Sequence, residues 1–426
     1  MGLVKNESIE DQERGWSEIE DKYVCDECVA DQFLKSEIRS AVVAKQCDYC
    51  EREADEPVAA PVGVVQSRIG ETVTNFFGEP TESGCPYDQG WIIEPTDTED
   101  VLLTVELDCN DELFADIKEA FTIDDWIPVA NGHWLSLHPN ESLRYSWDRF
   151  SRWVQHETRF FFSQVSYSAD DYCPQEIDGR QVLPVIGELA ADLGLIAIVP
   201  KNQVFYRVRQ RRADSDWVPN ADTMGAPPPE KASAGRMNPA GISYLYMAVD
   251  ELTAIREIIG KSAAKVMVAE FKAVRDLRIL DLTSLPAKPS IFDGDRREQR
   301  EGLIFLDHFV AAISQPVEKD GREHVSYVPS QVISEYFALV FQTGNGAALD
   351  GIQYPSAVHS GGRNLVLFPT SRTVNRVFSG VEFVQGYTKL VEVAGHCEPM
   401  GDFARVGKLA AHSGDTDVTV STTSRA

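Results

Sequence analysis

Apolar residues recur at three- and four-residue spacing along the first two hundred positions, then give way to short β-branched blocks separated by polar turns. The spacing predicts helices over 33–42, 112–121, 141–162 and 181–195, because residues three and four apart share one helix face. Asn140, one position before the long helix, is the expected N-cap. From Val204 the pattern changes. Blocks at 204–208, 244–247, 266–271, 278–282, 351–354 and 365–368 read as strands, with helices at 251–259, 301–313 and 330–341 between them. This mixture predicts an α+β architecture with a central β core in the C-terminal half, flanked by helices.

Breaker residues divide the chain. Glu-Pro, Ala-Pro and Gly84-Cys85-Pro86 steps over 54–86 suggest a connector, and 212–235, rich in Pro, Ala, Asp and Gly, reads as a mobile loop. The last residues, 413–426, are rich in Ser and Thr and read as disordered. The expected organisation is a cysteine-bearing module at 1–54, a connector at 55–87, and a mainly helical domain at 88–200. A mixed domain at 201–400 and a tail at 401–426 complete it.

Charge narrows the partners. With 67 Asp and Glu against 40 Lys and Arg the formal charge is −27, so a duplex or an anionic membrane surface repels the chain on average. Any phosphate contact must come from a local arginine cluster, and nucleic acid is disfavoured as the main partner. The opening residues hold no apolar segment of a secretory signal. No stretch has the apolar length of a membrane span, so a cytoplasmic protein without membrane contact is expected.

Eight cysteines are too few for a disulfide scaffold of this length. Four of them form Cys25-Asp-Glu-Cys28 and Cys47-Asp-Tyr-Cys50, two pairs separated by 18 residues. Each pair presents two thiolates on one knuckle, and two knuckles complete a tetrahedral shell, which predicts a structural zinc. Cys85, Cys109, Cys173 and Cys397 have no such spacing and read as ordinary thiols.

The remaining chemistry gathers after residue 204. Phe205-Tyr-Arg-Val-Arg209 places Arg207 and Arg209 on one strand face. Gly235-Arg-Met-Asn-Pro-Ala-Gly241 precedes a strand bearing Tyr246, and Glu257 follows on a helix. Asp350-Gly-Ile-Gln-Tyr-Pro-Ser356 and Arg363-Asn-Leu-Val-Leu-Phe368 come late. Taken singly, Arg207 is a surface ion-pair partner, Glu257 a solvated helix residue, Tyr246 a core tyrosine and Ser356 a turn hydroxyl.

Taken in order, these motifs resemble the RES domain, a family named for its Arg, Glu and Ser, over roughly 204–368. Met237 departs from the usual Trp, and 212–235 is an insertion. Upstream, the cysteine knuckles and Ser146-Trp-Asp-Arg-Phe150 with His156-Glu-Thr-Arg-Phe160 look like the HEPN-like module fused to such domains. The resemblance implies an ADP-ribosyltransferase-like fold and an NAD-consuming toxin that breaks the nicotinamide–ribose bond. It implies catalytic roles for Arg207, Tyr246 and Glu257, and NAD contacts from Arg207, Arg236, Asn238, Tyr246, Ser356 and Asn364. Arginine forks suit a pyrophosphate, a tyrosine face suits nicotinamide or its ribose, and a carboxylate stabilises an oxocarbenium centre. Ser356 is not expected to be a nucleophile, because no His sits at a motif-defined position beside it.

Two other activities stay open at this point: ADP-ribosyl transfer to a macromolecule, and a zinc-dependent sensor with an inactive RES domain. The resemblance also implies an antitoxin or regulatory partner, a role the N-terminal half could fill in cis; a homo-oligomer stays open. Arg149 and His156 have the spacing of an Arg-x₄₋₆-His ribonuclease motif. They lie among Trp147, Phe150, Trp153 and Phe160, and so are read as holding a packed aromatic helix in place.

Overall fold

The computed structural model describes residues 14–162, 175–210, 218–259, 264–317, 321–369 and 380–393. The chain forms two compact units. One gathers the described residues of Met1–Tyr145, Asp170–Ile177 and Pro286–Leu306, the other those of Ser146–Ala169, Asp178–Leu285 and Asp307–Ala426.

The first unit opens with β1 (Tyr23–Cys25), α1 (Gln32–Ser40) and β2 (Ala59–Pro61), then α2 (Gly63–Phe76) and β3 (Phe77–Gly78). It continues through α3 (Thr98–Thr104), α4 (Asp111–Ala120) and β4 (Ile127–Pro128). Each of α1, α3 and α4 starts on a side chain that accepts its free N–H groups: Asp31, Asp97 and Asn110. Four-residue spacing puts Leu34 and Ile38, Val65, Ile69 and Val73, and Leu113 and Ile117 into one core with Trp126. The Trp126 indole N–H is satisfied there, donating to Thr98 Oγ1 at 2.9 Å. The stretch expected as a connector therefore carries α2. Its Pro steps flank the helix, and the buried Val65, Ile69 and Val73 lie between them. Phe292, from within the expected C-terminal domain, also packs into this core, so 286–306 leave that domain.

Helix α5 (Pro139–His156) starts at Pro139, a residue suited to a first helical position. Asn140 is thus inside the first turn rather than its cap, and its side chain donates to the buried Glu301 at 2.5 Å. The helix also stops at His156, short of the expected 162. Trp147, Phe150 and Trp153 are buried on it, but Phe160, beyond its end, is 85% exposed and belongs to no packed stripe.

In the second unit α6 (Val182–Asp192) and β5 (Ile196–Val199) lead into β6 (Val204–Gln210), the short α7 (Ala221–Met224), β7 (Leu245–Ala248) and α8 (Glu251–Ile258). Then follow β8 (Ala264–Ala273), β9 (Leu277–Asp281), α9 (Arg297–Ser314), α10 (Glu323–Ser326), α11 (Val328–Leu339), β10 (Gly351–Pro355), β11 (Arg363–Leu367) and β12 (Val381–Val393). Eight strands form one sheet in the order β12-β8-β6-β7-β11-β10-β9-β5, with β10–β9 parallel and the other pairs antiparallel. Both faces are apolar. Phe205, Leu245, Met247, Leu365 and Leu367 line one; Val208, Ala248, Val266 and Val268 line the other, against Ala254 and Ile255 of α8. Pairing is uneven. β6 follows β8 over seven residues but meets β7 only at Tyr206↔Ala248, so the sheet is seamed between β6 and β7.

From 218 onward the expected loop is anchored. Asn220 caps α7, Met224 is fully buried, and Arg209 Nη2 donates to Gly225 O at 2.7 Å. The expected tail at 401–426, Cys173 and Cys397 lie outside the described residues. Among the described residues, no helix is long and apolar enough to cross a membrane.

Candidate active site and metal centre

Strand alternation decides which predicted residues meet. On β7 and β11, Tyr246 and Asn364 point to the α8 face, since Leu245, Met247, Leu365 and Leu367 fill the other. Helix α8 is capped by Asp250 and lays Ala254 and Ile255 on the sheet, leaving Glu257 on its exposed side near the end of β11. There Glu257 Oε1 accepts from Ser356 Oγ at 2.7 Å and from Asn364 Nδ2 at 2.6 Å. Its Oε2 has no partner among the described residues. One oxygen holds the carboxylate in place while the other remains available.

The loop after β10 supports this arrangement. Ser356 Oγ, donating to Glu257, accepts from the N–H groups of Val358 and His359. The His359 ring reaches the buried Thr253, with Nδ1 and Oγ1 2.7 Å apart, and Thr253 Oγ1 is 2.6 Å from Asp250 Oδ2. A threonine hydroxyl has one hydrogen and an ionised aspartate only accepts, so Thr253 donates to Asp250 and His359 Nδ1–H donates to Thr253. Burial opposes ionisation of Asp250, but the Thr253 hydroxyl, the Thr253 and Leu252 N–H groups and the neighbouring His359 ring outweigh it and hold the carboxyl below its usual range. Spacing along the chain hid His359, because it approaches Ser356 through its backbone N–H and Thr253 through its ring. Gly362 closes the loop. A Cβ there would lie 2.6 Å from Thr253 Oγ1 and 2.9 Å from His359 Nδ1. Gly362→Ala is expected to lower unfolding free energy by about 1–3 kcal/mol, the usual cost of overpacking. Unchanged denaturant unfolding would remove this tight contact from the account.

Tyr246 is fixed from the segment before it. Its hydroxyl donates to Asn238 Oδ1 at 2.7 Å and accepts from Met237 N–H at 3.0 Å. Asn238 Nδ2 donates to the carbonyls of Ser233, Pro239 and Ile242, and Gln331 Nε2 donates to those of Gly235 and Asn238. Asn238 is therefore a buried structural bolt. Gly235 is needed beside it, since a Cβ would lie 2.7 Å from Asn238 Oδ1 and 2.9 Å from the Tyr246 hydroxyl. Met237 fills the departure from the family pattern as a fully buried side chain. Arg236 donates to Ile313 O at 2.7 Å, and its Cζ stands 5.6 Å from the centre of the Tyr327 ring.

Tyr354 joins these parts. Burial raises its hydroxyl pKa well above the ordinary value, and Tyr246, Glu257, Arg236 and Tyr327 all act on it electrostatically. In sequence it read as the end of the strand expected over 351–354. Its place opposite Asn364 on β10 could be found only from the strand register.

Arg207 stands apart. Its side chain leaves β6 on the Phe205 face, opposite to Tyr246, and it meets Tyr246 only by donating from Nη1 to the main-chain carbonyl. The Nε groups of Arg207 and Arg209 are enclosed and unpartnered, and no carboxylate pairs with either among the described residues. Burial, then the Arg209 charge, pushes Arg207 down to about 9, still well above neutrality. Burial also lowers Arg209. Two half-buried guanidiniums with no carboxylate partner among the described residues therefore leave positive charge at the seam.

The four motif cysteines converge in the first unit. Cys25 ends β1, Cys28 ends the turn after it, and all four sulfurs lie within 4.8 Å of one another. The Cys25–Cys28, Cys25–Cys50 and Cys28–Cys47 sulfurs are 3.8, 3.4 and 3.6 Å apart. A tetrahedron with metal–sulfur bonds of about 2.3 Å has an edge of about 3.8 Å. The donor set fits such an ion. Burial and neighbouring sulfurs raise the Cys28 thiol pKa. Burial opposes the Cys47 thiolate, but the N–H groups of Tyr49, Cys25 and Cys50 outweigh it and lower that pKa.

Residues 204–381 match the family described as RES domain, and residues 41–168 match that described as HEPN/RES N-terminal domain 1. A search of curated proteins finds no match.

Proposed function

For a chain that carries a RES domain preceded by HEPN/RES N-terminal domain 1, with the NAD-related, toxin-like activity that domain implies, we propose cleavage of NAD at its nicotinamide–ribose bond. The observation that carries this reading is the half-satisfied Glu257 carboxylate. Ser356 and Asn364 hold one oxygen, and the other is free to accept the hydroxyls of the nicotinamide ribose. As the C1′–N bond breaks, its electron pair goes to the nicotinamide nitrogen and neutral nicotinamide leaves. The carboxylate stabilises the positive charge developing on the ribose. Water or phosphate then forms the new bond at C1′, and with water the oxygen loses one proton.

Tyr246, whose hydroxyl is already committed to Asn238 and Met237 N–H, offers its ring edge and face to the nicotinamide end. Arg236 is the guanidinium on the Glu257 side for the pyrophosphate. Arg207, backed by Arg209, supplies positive charge through the seam. In the N-terminal unit, zinc on Cys25, Cys28, Cys47 and Cys50 holds the fold and takes no part in the chemistry. Depleting NAD in this way suits a toxin or defence effector.

The test uses NAD labelled in its adenine, supplied with and without phosphate, with products identified by mass. ADP-ribose, or its 1″-phosphate when phosphate is present, is the expected outcome. Label fixed to protein or nucleic acid would replace this reading with ADP-ribosyl transfer. Wild-type protein that leaves NAD intact would favour an inactive domain.

A further inference from the structure

A cavity of about 460 Å³ lies in the second unit beside Arg236, within the size range of small-molecule sites. Its wall includes Trp147, Asp148, Ser151 and Gln155 of α5, facing Arg236 and Tyr327. Asp148, Ser151 and Gln155 are three and then four residues apart, so one face of α5 presents a carboxylate, a hydroxyl and an amide together. The Ser151 hydroxyl is enclosed and has no partner among the described residues. A buried polar group of this kind calls for a bound partner. Arg236 donates one N–H to Ile313 O, and no carboxylate pairs with it among the described residues. The same guanidinium lines the cavity and acts electrostatically on Tyr246 and on Tyr354, which also feels Glu257.

We propose that this cavity is a binding site for the adenosine monophosphate half of the dinucleotide, an inference that rests on the NAD reading above. The polarity orients the ligand. A phosphate is attracted to Arg236 and repelled by Asp148, so the phosphate end faces Arg236. Asp148, 3.5 Å from His308 Nε2, then faces the ribose hydroxyls as an acceptor. Gln155 both donates and accepts, as a purine edge requires, and Ser151 supplies one more polar contact. With its phosphate at Arg236, the molecule runs toward Tyr246 and Glu257. The α5 face therefore sets specificity for a dinucleotide without touching the bond that breaks.

The test is calorimetric titration of AMP into the full chain, with NAD kinetics on the same preparations. AMP is expected to bind, and Asp148→Ala with Gln155→Ala to weaken it at least tenfold. The same pair raises KM for NAD at least tenfold with kcat within about twofold, the signature of lost uniform binding. Ser151→Phe, which fills the cavity, should abolish AMP binding while the far-ultraviolet circular dichroism stays unchanged. AMP that fails to bind the wild type, or binds these variants equally well, overturns the site. The NAD reading is judged separately: AMP binding that responds to the variants without NAD turnover leaves the site standing and removes the cleavage.

Discussion

Glu257→Gln is expected to lower kcat for nicotinamide release by at least 10²- to 10³-fold, the range seen when a principal charge-stabilising group is removed. The substitution keeps shape and an acceptor oxygen, so Ser356 and Asn364 can still hold the side chain. What it removes is the negative charge facing the ribose as the bond breaks. KM should change far less than kcat, because the loss is confined to the transition state. Equal turnover by the variant would show that Glu257 is a structural anchor for the loop after β10. Asn364→Ala provides a graded comparison, since Ser356 would then hold the carboxylate alone.

The second large effect concerns the cysteine centre. Cys28→Ser is expected to abolish stoichiometric zinc and to destabilise the first unit by roughly 5 kcal/mol or more. Structural zinc contributes about 10–16 kcal/mol in peptides that depend on it for folding. This unit also has its own core around Leu34, Ile69, Leu113 and Trp126, so collapse should be partial. Metal content by mass spectrometry and thermal unfolding with and without a chelator measure both effects. Wild-type protein that holds no zinc as purified, or that unfolds at the same temperature with and without the chelator, would remove the metal from the account.

How far the sequence could be read depended on the range of the interaction. The cysteine knuckles were legible because paired ligands lie close in the chain, and the sulfurs converge as the spacing requires. Periodicity located most elements, including β6, β7, α8, β10 and β11. It missed α2, because the Pro steps around that helix outweighed its buried Val65, Ile69 and Val73. It also missed β12, a long strand whose partner β8 lies more than a hundred residues earlier.

At the candidate site, the grouping of Glu257, Ser356 and Asn364 followed motif order, but their hydrogen bonds did not. Tyr354, His359 and Thr253 gained their places only from strand register and loop closure. Arg207, given a catalytic role alongside Tyr246 and Glu257 by the resemblance, takes its place from strand parity. The parity of β6 sends its side chain to the other face, leaving only a bond to a main-chain carbonyl. Asn238, an NAD contact by the resemblance, also fixes the Tyr246 hydroxyl, which its place in the motif did not reveal.

Which bond of NAD breaks can be decided in one incubation. The purified full chain is mixed with NAD, Glu257→Gln serves as the control, and every product is identified by mass. Free nicotinamide from the wild type, essentially absent from the variant, is the predicted result. Intact NAD, or nicotinamide mononucleotide with AMP from cleavage at the pyrophosphate, would contradict it.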